Sequence, residues 1–318
     1  MTLRPRVLIV AEVGHRVGWG HISRCMILKQ ILAGECDVTV KVINREPWED
    51  ASLARDFALG DAVDADVVFA DGLQLRQELA AKVRAGTLVS LSYVSDINEV
   101  ADLVVAPALN GMTVPEHYVT DLSALVCNRP GVMAAPVEAG GRHFTVGISM
   151  GGADVEGLTP LLEAELGNLG HRTITLGDSQ GLPRTLSRFL NDKLRECEDD
   201  PFPYYGFSGC DLVVCQGGLS AIEIALLGIP SVIRSRSDFT PAYGFLESLG
   251  CSLRSREGDI RSLLASIDVL SEDRGRRMSM VGACGALEEK IQASFWQELV
   301  HKLVNGDVAC ETMSVLWK

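Results

Sequence analysis

No apolar run in this chain is long enough to cross a bilayer. The first such run is short, is interrupted by Glu12 and lacks a small-residue cleavage region, so a secretory signal is not expected either. Basic residues are few beside acidic ones, 29 against 42, and the formal charge is -13. That balance argues against a nucleic acid or an anionic membrane as the main partner, and any anionic ligand needs a local site. Aromatic residues are only 6% of the chain, and those near Pro201 to Phe207, like Trp296, are expected in packing rather than in base stacking. The nine cysteines include no C-x-x-C pair, and their odd number excludes a complete disulfide framework. Several, such as Cys127, Cys210 and Cys215, lie in or beside apolar runs, as reduced core residues of a cytoplasmic protein do.

What is present is enough apolar sequence for real cores, and 318 residues exceed the usual size of one, so two domains are expected. The stretch Gly18-Trp19-Gly20-His21 lies between an apolar run of buried-strand length, Arg6 to Val13, and a segment in which Ile22, Cys25, Leu28 and Leu32 recur at helical spacing. Glycines in such a strand-to-helix loop let backbone approach a ligand, and the helix start that follows offers free N–H groups to an anion. His21 stands at that helix start and suits the general-base role for which histidine is most often used. A dinucleotide fingerprint fits less well: Ser23 fills the place of its third glycine, and the loop from about Gly14 to Gly20 exceeds the tight turn it needs.

Further strand candidates follow at Asp37–Ile43, Asp66–Ala70, Thr87–Leu91, Leu103–Ala106 and Ala124–Cys127, with a crossover helix expected over Leu73–Ala85. This is the rhythm of a parallel sheet. Asp71 ends one of those strands, where ligands collect in open α/β sheets, although Asp71-Gly72 is equally a turn signal. Periodicity disappears between Met133 and Arg142, and the domain boundary is set there, giving domains 1–138 and 139–318. A second strand, Phe144–Met150, runs into Gly151-Gly152-Ala153-Asp154 and a helix carrying Leu158, Leu161, Leu162, Leu166 and Leu169, with Asp154 its candidate N-cap. The plan repeats the opening one, which suggests two similar halves facing across a cleft.

After strand Thr173–Leu176 and a helix expected over Arg184–Cys197, strand Asp211–Cys215 leads into Gln216-Gly217-Gly218-Leu219-Ser220 and a helix ended by Gly228-Ile229-Pro230. Amides at Gly217 and Gly218 with the Ser220 hydroxyl are expected to cradle a phosphate, and Glu223, expected on the first helical turn, is suited to the two hydroxyls of a ribose, a reading the neighbouring glycines favour over a first-turn acid that only complements the helix dipole. Strand Ser231–Arg234 and a closing helical layer from Tyr243 complete the pattern.

Taken together, Gly18-Trp19-Gly20-His21-Ile22-Ser23-Arg24-Cys25, Ile148-Ser149-Met150-Gly151-Gly152-Ala153-Asp154, and Gly217-Gly218-Leu219-Ser220 with Glu223 and Gly228-Ile229-Pro230 resemble the UDP-sugar hydrolases of pseudaminic acid biosynthesis and related spore-coat polysaccharide biosynthesis proteins. The resemblance implies an α/β chain of GT-B architecture, two Rossmann-like domains, no cofactor and no required metal. It implies that His21 activates water for inverting attack on the anomeric carbon, that Glu223 binds ribose, and that backbone around Gly217 and Gly218 holds the diphosphate. Gly151 and Gly152 join the nucleotide side, while Gly18, Gly20, Asp71, Tyr93, Asp154 and Asp238 are candidates on the substrate side. The sequence departs from the family at Leu73, where a tyrosine is usual, at Val94-Ser95 with Asp96 one step late, and at Asp238-Phe239 in place of an Asn-Gln pair. Those departures concern the sugar and leave the base and nucleotide residues intact. A glycosyltransferase using the same residues on an acceptor hydroxyl is the alternative reading.

Overall fold

The computed structural model describes residues 4–14, 17, 20–48, 51–60, 63–130, 143–150, 154, 156–175, 204–234, 242–255 and 259–307. The chain forms two compact units: Met1–Val126 with Arg184–Cys197 and Ile291–Lys318, and Cys127–Pro183 with Glu198–Lys290. The helix expected over Arg184–Cys197 lies outside the described residues.

In the first unit β1 (Arg6–Val13), α1 (Gly20–Leu32), β2 (Asp37–Asn44), α2 (Ala51–Phe57), β3 (Val63–Asp71), α3 (Arg76–Lys82), β4 (Val83–Ser90), β5 (Leu103–Val105) and β6 (Tyr118–Val119) follow one another. The six strands are parallel in the order β2-β1-β3-β4-β5-β6. A parallel sheet covered on both faces buries consecutive residues, and β1 does so from Val7 to Val13. Val7, Ile9, Ala11 and Phe69 join one core with Ile22, Cys25 and Leu28 of α1, while Leu8, Val10, Val68 and Ala70 join the opposite one with Leu75 and Leu79.

Two local expectations differ. The helix expected to Ala85 stops at Lys82, because Val83 already pairs with Val63 in the β3–β4 ladder, and that pairing overrides the helical spacing of Val83. Ala124–Cys127 is not a strand: a short 3-10 turn covers Leu122–Ala124, with the Asp121 carboxylate accepting from the Ser123 N–H, and the buried residues that follow pair with no strand.

The second unit runs β7 (Thr145–Ser149), α4 (Leu158–Asn168), β8 (Arg172–Thr175), β9 (Leu212–Cys215), α5 (Leu219–Leu226), β10 (Ser231–Ile233), α6 (Gly244–Ser248), β11 (Ser252–Arg254), α7 (Ile260–Glu272) and α8 (Arg274–Glu288). Its five described strands are parallel in the order β11-β10-β9-β7-β8. Val146, Ile148, Leu212, Val214 and Val232 pack with Leu162 and Leu166 of α4 and Leu263, Ile267 and Leu270 of α7. Gly147 interrupts the apolar run of β7 because a Cβ there would come within 2.7 Å of the Phe207 ring.

The last described helix, α9 (Ser294–Asn305), falls in the stretch 139–318 expected to form the second domain. Its Phe295, Trp296, Leu299 and Val300 join the core of the first unit, with Trp296 edge-on to Phe69 at 5.6 Å.

Counted within each unit, the first strand lies between the second and the third, so both sheets share one topology. The chain reverses its direction of progress between β1 and β3 in one sheet and between β7 and β9 in the other. The crevice outside the carboxyl ends of such strands is where open α/β sheets hold ligands. All three glycine-bearing loops of the sequence analysis leave those strand ends.

Candidate functional site

His21 lies in the first turn of α1, directly after the loop that leaves β1, and Asp71 is the last residue of β3, opposite Ala11 of β1. The switch point of the first sheet therefore brings together two residues 50 positions apart in the chain. His21 Nδ1 lies 2.5 Å from Asp71 Oδ1, and Asp71 is fully buried whereas the His21 side chain keeps 15% of its exposure. An ionised carboxylate can only accept, so Nδ1 carries a proton, and in the neutral ring Nε2 is the nitrogen with the lone pair. Arg24, one turn further along α1, donates from Nε to Asp71 Oδ2 and from Nη2 to Oδ1, each at 2.6 Å. Burial pushes the Asp71 carboxyl up, but Arg24 and His21 outweigh it and hold the group well below the usual carboxylate range. Asp71 is thus a side-chain partner of His21 as well as the end of a strand.

The adjoining loop is built by two further carboxylates. Glu12, buried at the end of β1, accepts from the backbone N–H groups of Leu73 at 2.5 Å and Gln74 at 3.0 Å, and from Arg45 Nε at 2.5 Å. Burial raises the Glu12 carboxyl, and these donors together outweigh it and lower it. Gly72 is glycine because a Cβ would meet the Glu12 side chain. Asp96 accepts from the N–H groups of Leu75 and Arg76 at 2.7 and 3.1 Å, so it caps α3. Tyr93 follows β4 and is half-buried. No described atom lies within 4 Å of where a Cβ would stand at Gly20; Gly18 lies outside the described residues.

In the second unit the β9–α5 loop has Gly217 at φ +86° and Gly218 at φ +78°, ψ −158°. Two successive residues of this kind need glycine, and no described atom lies within 4 Å of a Cβ at Gly218. Ser220, at 9% exposure, turns inward: its hydroxyl donates to the Gly217 carbonyl at 3.4 Å and is hydrogen-bonded to Tyr204. Glu223 stands one turn into α5 rather than in its first turn, which holds no acid, and it is only 3% exposed. Its Oε1 accepts from the backbone N–H of Asn128 at 2.8 Å and from Asn128 Nδ2 at 2.9 Å. Burial and the Glu223 charge push the Cys127 thiol up to about 12 and raise the Tyr204 phenol.

Asp154, at φ +34°, gives its two oxygens to the Leu158 and Thr159 N–H groups at 3.0 and 2.9 Å, which caps α4 from outside its first turn. Arg234, just past β10, holds Glu156 through two bonds of 2.8 and 2.7 Å. Gly151, Gly152 and Asp238 lie outside the described residues. The sequence analysis missed the Arg24 grip, the Asn128–Glu223 pair and Tyr204. Arg24 had a signal, since its place one helical turn after His21 puts both on one face.

Among the described residues no helix is long and apolar enough to cross a membrane, and no three His, Cys, Asp or Glu side chains group to hold a metal ion. Among the described residues seven cysteines are buried and form no disulfide. No family model matches the sequence, and no curated protein sequence is detectably similar to it. Solved structures do share its fold. Acinetobacter baumannii MurG aligns over 94% of this chain and 99% of its own at 15% identity, with a TM-score of 0.58. The spinosyn rhamnosyltransferase SpnG in complex with thymidine diphosphate aligns over 93% and 100% at 16% identity and a TM-score of 0.52. S. aureus MnaA, solved with UDP, aligns over 94% and 96% at 10% identity and a TM-score of 0.53. Identities this low speak to architecture alone, and that architecture is GT-B, two Rossmann-like α/β units.

Proposed function

We propose that this protein is an enzyme acting on a nucleotide-activated sugar, with the first unit supplying a general base and the second the nucleotide site. The observation that carries the reading is the His21–Asp71 pair at the switch point of the first sheet, with its tautomer set so that Nε2 can take a proton. In the reaction, His21 Nε2 removes a proton from an attacking hydroxyl. That oxygen bonds to the anomeric carbon as the carbon–phosphate oxygen bond breaks, and the nucleoside diphosphate leaves with the electron pair. The configuration inverts. Backbone N–H groups at Gly217 and Gly218 and the start of α5 stabilise the leaving charge, with Gly151 and Gly152 completing the diphosphate contact.

Water is the nucleophile we favour, on the resemblance of the three loops to UDP-sugar hydrolases, and UDP is the leaving group that resemblance names. Likeness in fold to a rhamnosyltransferase supports a second reading, transfer to an acceptor hydroxyl, at least as well. Turnover in ¹⁸O-labelled water separates the two. Release without acceptor, label in the sugar and unlabelled nucleotide are the expected results. Release only with an acceptor establishes the transferase, and label on the phosphate contradicts attack at carbon altogether.

Glu223 is assigned to the ribose. A Glu223→Gln variant keeps the acceptor for Asn128 but loses the charge, so nucleoside diphosphate affinity is expected to fall about tenfold while kcat at saturation changes little. A calorimetric Kd unchanged from the parent, or a loss confined to kcat, contradicts that assignment.

A further inference from the structure

Asp71 is claimed by two residues, and only one of them, His21, has a part in the proposed chemistry. The arginine beside it is arranged for more than charge neutralisation. Arg24 contacts both carboxylate oxygens at 2.6 Å, and Oδ1, the oxygen that receives His21 Nδ1, is shared between the two donors. A two-point grip stops the carboxylate from rotating about its Cβ–Cγ bond, which a single contact does not. With a neutral imidazole, the Asp71–Arg24 charges balance. Take the guanidinium away and a buried carboxylate is left facing the ring, and the cheapest compensation is to draw a proton onto Nε2.

We infer that Arg24 is a positioning residue for His21, acting through Asp71: it fixes the oxygen that orients the ring and balances the carboxylate charge that faces it. The inference rests on the reading of His21 as the base. Arg24 and His21 are the charged groups acting on Asp71. From α1 the Cys25 thiol also approaches, at 3.9 Å from Oδ2, and burial followed by the Asp71 charge holds it well above the ordinary thiol range, as a neutral group. β1 presents Ala11 opposite Asp71, and its Glu12 is occupied by Leu73, Gln74 and Arg45. α9 contributes Trp296, packed on Phe69 of β3.

The test is a pair of titrations on Arg24→Met and Arg24→Lys: the His21 ring followed by NMR in ligand-free protein, and kcat/KM against pH. In Arg24→Met both the ring midpoint and the acid limb of the rate profile move up by about one to two pH units, so turnover is lost near neutrality and returns in alkali. In Arg24→Lys, which restores the charge without the fork, both return to within about half a unit of the parent while kcat stays reduced. Should the methionine variant not fold, Arg24→Gln replaces it with the same expected upward shift. A ring midpoint and rate limb that stay with the parent in the uncharged variants, with only the melting temperature lowered, would overturn the inference. Failure of the base reading looks different: His21→Ala then turns over normally, whatever the NMR midpoint of the Arg24 variants does.

Discussion

Replacing His21 with alanine is expected to lower turnover by about 10²- to 10⁴-fold, the usual contribution of a positioned general base. Binding of nucleoside diphosphate should stay within a few-fold of the parent, because His21 belongs to the first unit and the β9–α5 loop to the second. The fold should persist. The ring keeps 15% of its exposure and is not part of either core of that unit. Parallel measurement of release rate, nucleotide Kd and melting temperature checks all three. Turnover within about threefold of the parent removes His21 from the chemistry, since no positioned base is worth so little.

The second large effect is expected from Asp71→Asn, a change of one atom at a fully buried position. Asp71 accepts three short bonds, two on Oδ1 and one on Oδ2, and asparagine offers a single acceptor. If the amide oxygen faces His21, its NH₂ meets the Arg24 Nε–H, donor against donor. With the amide reversed, Nδ1 of His21 must accept, the ring proton moves to Nε2, and the base is lost. Either arrangement fails to reproduce the native one, so turnover is expected to fall about 10²- to 10⁴-fold. The asparagine protein should also be less stable, because Arg24 loses its buried counter-charge. A variant that melts lower yet turns over like the parent would reduce Asp71 to a structural residue.

The chain announces its parallel sheets and its two glycine-bearing plans because those signals are local. Buried-strand runs, helical spacing in α1 and paired glycines before α5 each lie within a few residues of one another. The shared strand order follows from the repeated plan. What sequence reading does not expose is any pairing across long separations. Asn128 meets Glu223 from 95 positions away, and Arg24 meets Asp71 from 47. Spacing shows that α9 is amphipathic but not which core its Phe295 and Trp296 enter, and that core proves to be the first. Asp96 and Asp154 show the ambiguity of a lone acid after a strand. Both cap helices through backbone N–H groups, a role that short carboxylates fill wherever a helix start lies within reach. Val83 marks the opposite failure, a residue with helical spacing that the sheet claims.

These long-range pairs also divide the candidate residues into working groups. His21 binds Asp71 through Nδ1, Gly218 has no described atom within 4 Å of where a Cβ would stand, and Glu12 and Asp96 hold the loop that carries Asp71 into α3. Leu73 and Asp96, two of the positions where the sequence departs from the hydrolases it resembles, lie in or against that same loop.

The most direct test of the account is release of nucleoside diphosphate from a panel of UDP- and TDP-linked sugars, by the purified protein and by His21→Ala side by side. Release by the parent from at least one sugar, abolished in the variant while nucleotide binding persists, is the predicted result. Equal release by both proteins, or nucleotide binding without release from any sugar with or without acceptors, would contradict it.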